Sequence, residues 1–376
     1  MITLNDIVRR YGPAYRAQYA DRMLPSHRAA MAALEACRTE ALGGHVYTCP
    51  TCATTRYSYH SCKNRHCPTC QQDSVQSWLA RQQDLLLPVP YFLVTFTLPP
   101  ALRDVARTHQ RQLYQLLFRA SAAALQQLAH DPRFLGGQIG LLGVLQTWTR
   151  DLRFHPHVHY LVPAIGVASD GTVCRPRNPA FLVPIKALAS LFRAKLRAAL
   201  HQTALYGQVA PATWRQAWVV DCRAVGSGAS ALKYLAPYIF RVALSNNRIV
   251  SLRDDRVTFR YRDGKTKQIC SCTLPVLTFM SRFLQHILPK GFVKVRYYGL
   301  FSRRQRRLLI QLRQRLLVAT PSPEAPATVA PNTPVPTTAV AMCCPVCGQP
   351  MQAVVLRPVR SRGPPAVPQG GTNRQQ

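Results

Sequence analysis

Apolar positions recur at helical spacing through residues 4–42, in IVRRYGPAYRAQY and HRAAMAALEACR, with Gly12-Pro13 and Pro25 interrupting the rhythm. The pattern predicts short basic helices there, and another over Ser74–Leu87 that Pro88 and Pro90 end. From Tyr91 the pattern changes. YFLVTFTL is rich in β-branched and aromatic residues and predicts a buried strand, followed by a long helix over Ala101–Ala129. GLLGVLQTW, residues 140–148, predicts a second strand. The short link TRDLRF leads into a third, HPHVHYLVPAIGV, so these two are expected to pair as an antiparallel hairpin. Side chains two apart in a strand share a face, which puts His157 and His159 together and turns Val158 to the core. RDDRVTFRYR, residues 253–262, alternates as one exposed strand with a turn at Asp263-Gly264. Leu277–Leu288 has helical spacing, and KGFVKVRYYGLF predicts a final basic strand.

The resulting expectation is an α+β protein: an antiparallel sheet with flanking helices, plus a small N-terminal domain that its CxxC pairs, Cys49/Cys52 and Cys67/Cys70, mark as a zinc finger. Residues 1–88 form the N-terminal helices and zinc-binding domain, and residues 89–318 the catalytic domain. A Pro, Thr and Ala linker over 319–341 should be extended and mobile, and residues 342–376 form a short cysteine-containing tail, mostly disordered.

Charge narrows the partner. The 48 Lys and Arg against 15 Asp and Glu give a formal net charge of +33, a field that attracts phosphate polyanions. Nucleic acid is the expected partner. No apolar run is long enough to span a bilayer, and MITLNDIVRRYG lacks a signal-peptide core, so no membrane partner and a cytoplasmic, nucleoid-associated location are expected. Arg303, Arg304, Arg306 and Arg307 stud a helix without acidic residues, which reads as a phosphate-binding face.

Thirteen cysteines, clustered rather than dispersed, point to metal more than to disulfides. Cys49 and Cys52 form one CxxC knuckle and Cys67 and Cys70 another, a spacing that can supply four thiolates to one structural zinc. Cys62, His66, His45 and His60 stand nearby as further ligands. Lys63, Arg65 and Arg56 make a DNA-facing surface of the same segment. CCPVCGQPM carries Cys343, Cys344 and Cys347, a half-site with no second knuckle in the tail; Cys270 and Cys272 are candidates to complete it.

No glutamate occurs between Glu40 and Glu324, so an Asp, Asp, Glu two-metal site is not available in its usual form. A one-metal site on His157 and His159 fits better, with the Gln146 amide oxygen as third ligand and Asp151 behind it. No nucleotide cofactor is called for. A nucleophile stands in ASALKYLAPYIFRVALSNNRI, where Tyr234 and Tyr238 are four residues apart and, on a helix, share a face. Lys233 and Arg241 lie near enough in sequence to stabilise a phenolate or hold a phosphate. Taken alone, a tyrosine pair at this spacing reads more readily as core or groove contacts; the metal-binding strand upstream reverses that balance.

Together these segments resemble the two-tyrosine HUH rolling-circle transposases of the insertion-sequence-91 type. The resemblance runs through SCKNRHCPTCQ, FTLP, VLQTW followed by FHPHVH, YLxxYxxRVALSNxRI and HILPKGFVKVRYYGL, in that order. It implies that His157 and His159 are the metal-binding pair, holding Mg²⁺ or Mn²⁺, and that Tyr234 and Tyr238 are nucleophiles. Each would attack single-stranded DNA through a 5′-phosphotyrosyl intermediate, at element ends. Two departures stand out: Gln146, where many relatives have histidine, and Pro237 between the tyrosines. A plasmid replication initiator or relaxase, and a non-enzymatic zinc-dependent DNA-binding regulator, are the alternative readings.

Overall fold

A computed structural model describes residues 2–70, 78, 79, 82, 83, 85–230, 232, 243–264, 266–318 and 342–358. Two helices open the chain, α1 (Leu4–Tyr19) and α2 (Pro25–Ala36). Thr3 caps α1 by accepting from the Asp6 amide, while Asp6 accepts from the Thr3 amide in return, satisfying two otherwise orphaned donors. A hairpin of β1 (Gly44–Thr48) and β2 (Thr55–Tyr59) follows.

The central sheet begins with β3 (Pro90–Thr97). The long helix expected over 101–129 forms as two pieces, α3 (Arg103–Thr108) and α4 (Gln110–His130), because the backbone leaves helical geometry at His109. Next come β4 (Gln138–Trp148) and β5 (Phe154–Pro163), paired antiparallel as expected. Short β6 (Gly166–Val167) and β7 (Val173–Cys174), helix α5 (Ile185–His201) and β8 (Val220–Ser227) complete this half. The strand expected over 253–262 is instead a hairpin of β9 (Ile249–Arg253) and β10 (Arg256–Arg262). Asp254 and Asp255 both take positive φ, 47° and 54°, and make a tight turn that the alternation did not show. Strand β11 (Ile269–Pro275) and helix α6 (Val276–Leu284) follow, then β12 (Val295–Gly299), α7 (Arg306–Val318) and β13 (Gln352–Leu356).

The main sheet runs β7-β6-β4-β5-β3-β8, with β12 also paired to β4. Strand β5 therefore lies between β4 and β3 with both edges hydrogen-bonded, and its two faces part sharply. Val158, Tyr160 and Val162 point at α4 and α5, in a core with Phe96, Leu117, Phe118 and Phe192. Burying each such side chain is worth about 1.5–3 kcal/mol. Gly143 faces Tyr160 across the ladder, and a Cβ there would lie 2.6 Å from the ring; the missing side chain is what lets the tyrosine lie flat and donate to Phe118 O at 3.1 Å. The other face carries His157, His159 and Leu161. Leu161 packs there with Leu93, Val144, Leu232 and the apolar side of α7, namely Leu309, Leu312 and Leu316.

A second core unites the chain's start with its middle. Leu4, Ile7, Met31 and Leu34 are buried with Val257, Phe259, Phe279 and Phe283, so α1 and α2 share a core with the β9–β11 sheet and α6. His286, just past α6, ties this unit to the loop between β4 and β5. Its Nε2 donates to Leu152 O and its Nδ1 accepts from Thr147 Oγ1, both at 3.2 Å. Trp148 and Phe154 flank the ring. Among the described residues no helix is long and apolar enough to cross a membrane.

Burial pushes His286 down to about 4, from 6.5 when exposed. The unfolded chain therefore takes up a proton that the folded chain refuses. Stability is complete above about pH 6.5 and is lost as pH falls toward 4, by on the order of 3 kcal/mol for this group alone. Thermal unfolding followed by circular dichroism should show the midpoint falling through that window, and His286→Asn should flatten the dependence while lowering the midpoint at pH 7.5.

Candidate active site and cysteine clusters

Register assembles the site. Across β4 and β5, Gln146 stands opposite His157, and across β3 and β5, Thr95 stands opposite His159. Gln146 Oε1 lies 2.7 Å from His157 Nε2 and 2.9 Å from His159 Nε2. Behind them, His157 Nδ1 is 2.6 Å from the His155 carbonyl oxygen and His159 Nδ1 is 2.8 Å from Thr95 Oγ1. Gln146 and both histidines are buried.

Protonation follows from these contacts. A carbonyl only accepts, so His157 Nδ1 carries its hydrogen. Burial first, and then the neighbouring His159, holds the His157 imidazole well below its usual range, and burial pushes His159 down to about 4. Both rings are neutral at physiological pH. His157 Nε2 is then a bare lone pair aimed at an amide oxygen, which also carries lone pairs. A cation among the three atoms removes this opposition, as does turning the amide so that its NH₂ faces the rings; only the cation leaves the oxygen where it lies. Two imidazole nitrogens and an amide oxygen converging with their outer nitrogens already held by a carbonyl and a hydroxyl form a donor set that fits a divalent metal.

A cleft of about 440 Å³ opens over these atoms, lined also by Trp148, Arg150, Asp151, Arg153, His155 and Tyr261. Its rim is basic. Arg103 donates to His155 Nδ1 at 2.9 Å, and Arg150 donates to the Arg262 carbonyl at 3.2 Å, which ties the rim to the β10 hairpin. Asp151 is engaged by Arg153 at 2.7 Å and by the Thr149 hydroxyl, so it sits on the rim as a paired carboxylate. Three contributors were missed in the sequence. Thr95 is on the strand read only as buried, His155 holds the next-but-one histidine through its backbone, and Arg103 comes from a helix with no motif. Strand alternation contains a signal for His155, which shares parity with 157 and 159; nothing local marks Thr95 or Arg103.

Tyr234, Tyr238, Lys233 and Arg241 lie outside the described residues. Leu232, two positions before Tyr234, is buried in the apolar layer on the histidine face of the sheet. Helix α7 lies over that same face through Leu309, Leu312 and Leu316, and Arg303, Arg304, Arg306 and Arg307, in and just before it, are exposed.

The cysteines group otherwise than expected. Cys49, Cys52, Cys67 and Cys70 do not share one site. Cys67 and Cys70 meet Cys37 and Cys62, while Cys49 and Cys52 meet Cys344 and Cys347; within each quartet all four sulfurs lie within 4.8 Å of one another. The first correction has a physical basis in α2. That helix ends at Ala36 and delivers Cys37 to the cluster, with its Sγ 3.5 Å from Cys70 and 3.6 Å from Cys67. Cys62 joins as a full member, 3.7 Å from Cys70. Hydrogen bonding from Cys62, with Asn5 and the Thr69 amide behind it, holds the Cys67 thiol well below its usual range despite burial, which favours the thiolate a metal needs. His66 is not in the cluster: its Nε2 accepts from the Leu288 amide at 3.3 Å. Cys270 and Cys272 lie on β11 and join neither quartet. Arg65, though exposed, donates to the carbonyls of Phe292 at 2.7 Å and Pro289 at 3.0 Å and so staples the cluster to the segment before β12.

Replacing Cys37 by serine tests this grouping. Metal analysis should show one zinc fewer per chain and the thermal midpoint should drop by several degrees, since a structural zinc site contributes folding energy directly. A site built from Cys49, Cys52, Cys67 and Cys70 would keep its zinc in that variant.

Two regions of the chain match families of known proteins. Residues 7–98 match the family model described as "Transposase zinc-binding domain", of the insertion-sequence-91 type, and residues 140–308 match one described as "Putative transposase". Among curated proteins, the chain is 40% identical over 342 residues to "Putative transposase y4qJ" of Sinorhizobium fredii, covering 85% of each chain. It is 28% identical over 310 residues to "Transposase for insertion sequence element IS801" of Pseudomonas savastanoi pv. phaseolicola, covering 77% of this chain and 73% of the other. No solved structure matches at a significant level. With its zinc-binding domain ahead of a transposase domain and a relative of this identity along most of its length, the chain belongs to the insertion-sequence-91 family of transposases.

Proposed function

We propose that this transposase cleaves and rejoins single-stranded DNA at the ends of its element by tyrosine attack, in rolling-circle transposition. The observation that carries the reading is the convergence of His157 Nε2, His159 Nε2 and Gln146 Oε1 in one cleft, with both rings neutral. These three residues would hold Mg²⁺ or Mn²⁺, which when bound polarises the scissile phosphate and orients it.

The chain's own groups supply the rest. Arg150 on the rim and Arg103 beside His155 attract the phosphate backbone toward the cleft, and exposed Arg303, Arg304, Arg306 and Arg307 extend that attraction. Lys233 and Arg241, beside the tyrosines in sequence, serve the same charge. Tyr234 or Tyr238 loses its phenolic proton and its oxygen attacks phosphorus. The 3′-oxygen leaves and takes up a proton, which gives a 5′-phosphotyrosyl link and a free 3′-hydroxyl. Reversal by a 3′-hydroxyl rejoins strands, with the bond energy conserved and no nucleotide cofactor used.

Incubating the full chain with Mn²⁺ and a labelled single-stranded element end should give a protein-DNA adduct that survives denaturation. Tyr234→Phe combined with Tyr238→Phe should abolish it, and His157→Ala should reduce it at least 100-fold. A zinc-dependent regulator without this chemistry would bind the oligonucleotide and form no adduct. Thr95→Val, which leaves His159 Nδ1 without its hydroxyl, should weaken Mn²⁺ binding about 10–100-fold by calorimetry while Thr95→Ser keeps most of it.

A further inference from the structure

The second cysteine quartet joins parts of the chain nearly 300 residues apart. Cys49 Sγ lies 3.4 Å from Cys347 Sγ, and Cys52 Sγ lies 3.4 Å from Cys344 Sγ. A tetrahedral Zn(Cys)₄ centre with bonds of about 2.3 Å has sulfur–sulfur edges of about 3.8 Å, close to this spacing, whereas a disulfide needs about 2.05 Å.

The two half-sites are built alike. Cys49-Pro50-Thr51-Cys52-Ala53 and Cys344-Pro345-Val346-Cys347-Gly348 share the CPxC form, with a residue of positive φ after the second cysteine: Ala53 at 56° and Gly348 at 74°. Each loop closes with the same two hydrogen bonds. Cys49 N donates to Thr54 O at 2.9 Å and Ala53 N to Cys49 O at 3.0 Å; Cys344 N donates to Gln349 O at 2.8 Å and Gly348 N to Cys344 O at 2.9 Å. Such paired knuckles, each turning two sulfurs to one point, are the form a closed zinc site takes. The flanking strands agree: β13 pairs antiparallel with β1 over five residues, from Gly44 opposite Leu356 to Thr48 opposite Gln352, and makes the β1–β2 hairpin a three-stranded ribbon. Cys49, Cys344 and Met351 form a small buried cluster under it, with little apolar area of their own to hold the strands together.

We infer that Cys49, Cys52, Cys344 and Cys347 bind a second structural zinc within one chain, a clasp that fastens the segment after residue 341 onto the N-terminal hairpin. Both ends of residues 319–341 are thereby anchored. The clasp adds a metal to the chain that residues 7–98 cannot complete by themselves, since half its ligands lie beyond them.

Zinc analysis of the full chain, with mass measured by light scattering, tests the proposal. Two zinc ions per monomer are expected, falling to one in the variant carrying Cys344→Ser and Cys347→Ser, with the adduct-independent fold, read by circular dichroism, retained. Unchanged zinc content in that variant would overturn the site, and a second zinc found only in dimers would overturn its closure within one chain. Should the variant fail to fold, a full chain with a specific protease site inserted in residues 319–341 decides instead. After cutting, the C-terminal fragment should co-elute with the body and be released by a zinc chelator; release without chelator, or retention after it, would refute the clasp.

Discussion

Everything in the catalytic half depends on the register between β4 and β5. Because that pairing sets Gln146 against His157, and the pairing of β3 with β5 sets Thr95 against His159, the Gln146 amide oxygen comes within 3 Å of an Nε2 on each ring without any loop having to place it. A slip of one residue would turn both histidines into the apolar layer under α4 and α5 and put Val158 in the cleft. Burial on both faces makes such a slip costly, so the packing of Tyr160, Val162 and Phe96 is also what keeps the chemistry aligned.

The same logic governs protonation. Rings this deep in the protein are neutral because charging them without water costs more than any neighbour returns, and a carbonyl behind His157 decides which nitrogen keeps its hydrogen. The orientation and tautomer of the two rings are thus set by the backbone and by a single threonine. At the rim, Arg153 pairs with Asp151, and Arg150 braces a loop through the Arg262 carbonyl oxygen.

The cysteine-rich start and the sheet are one mechanical unit. Arg65 reaches from the Cys37, Cys62, Cys67, Cys70 cluster to the carbonyls of Pro289 and Phe292, and α1 and α2 bury their apolar faces against Phe259, Phe279 and Phe283. Movement of the N-terminal domain would have to break that shared core, so the domain acts as a fixed wall beside the sheet.

Sequence alone determined the antiparallel α+β architecture, the β4–β5 hairpin, the shared face of His157 and His159, and membership in a transposase family. Each is encoded in a period of two, a period of 3.6 or an ordered string of motifs, which are local and survive reading in one dimension. The hairpin turn at Asp254-Asp255 was hidden because two aspartates with positive φ look like any polar pair inside an alternating run. Tertiary structure decided which sulfurs meet. CxxC spacing identifies a knuckle, but a knuckle contributes only half of a tetrahedron, and its partner is chosen by strand pairing and helix ends far away in the chain. Cys37 arrives at the end of a helix and Cys344 in the loop ahead of β13, a strand added from the other end, neither of which spacing can show. Thr95 and His286 belong to the same category, ordinary residues given a role by what the fold sets against them.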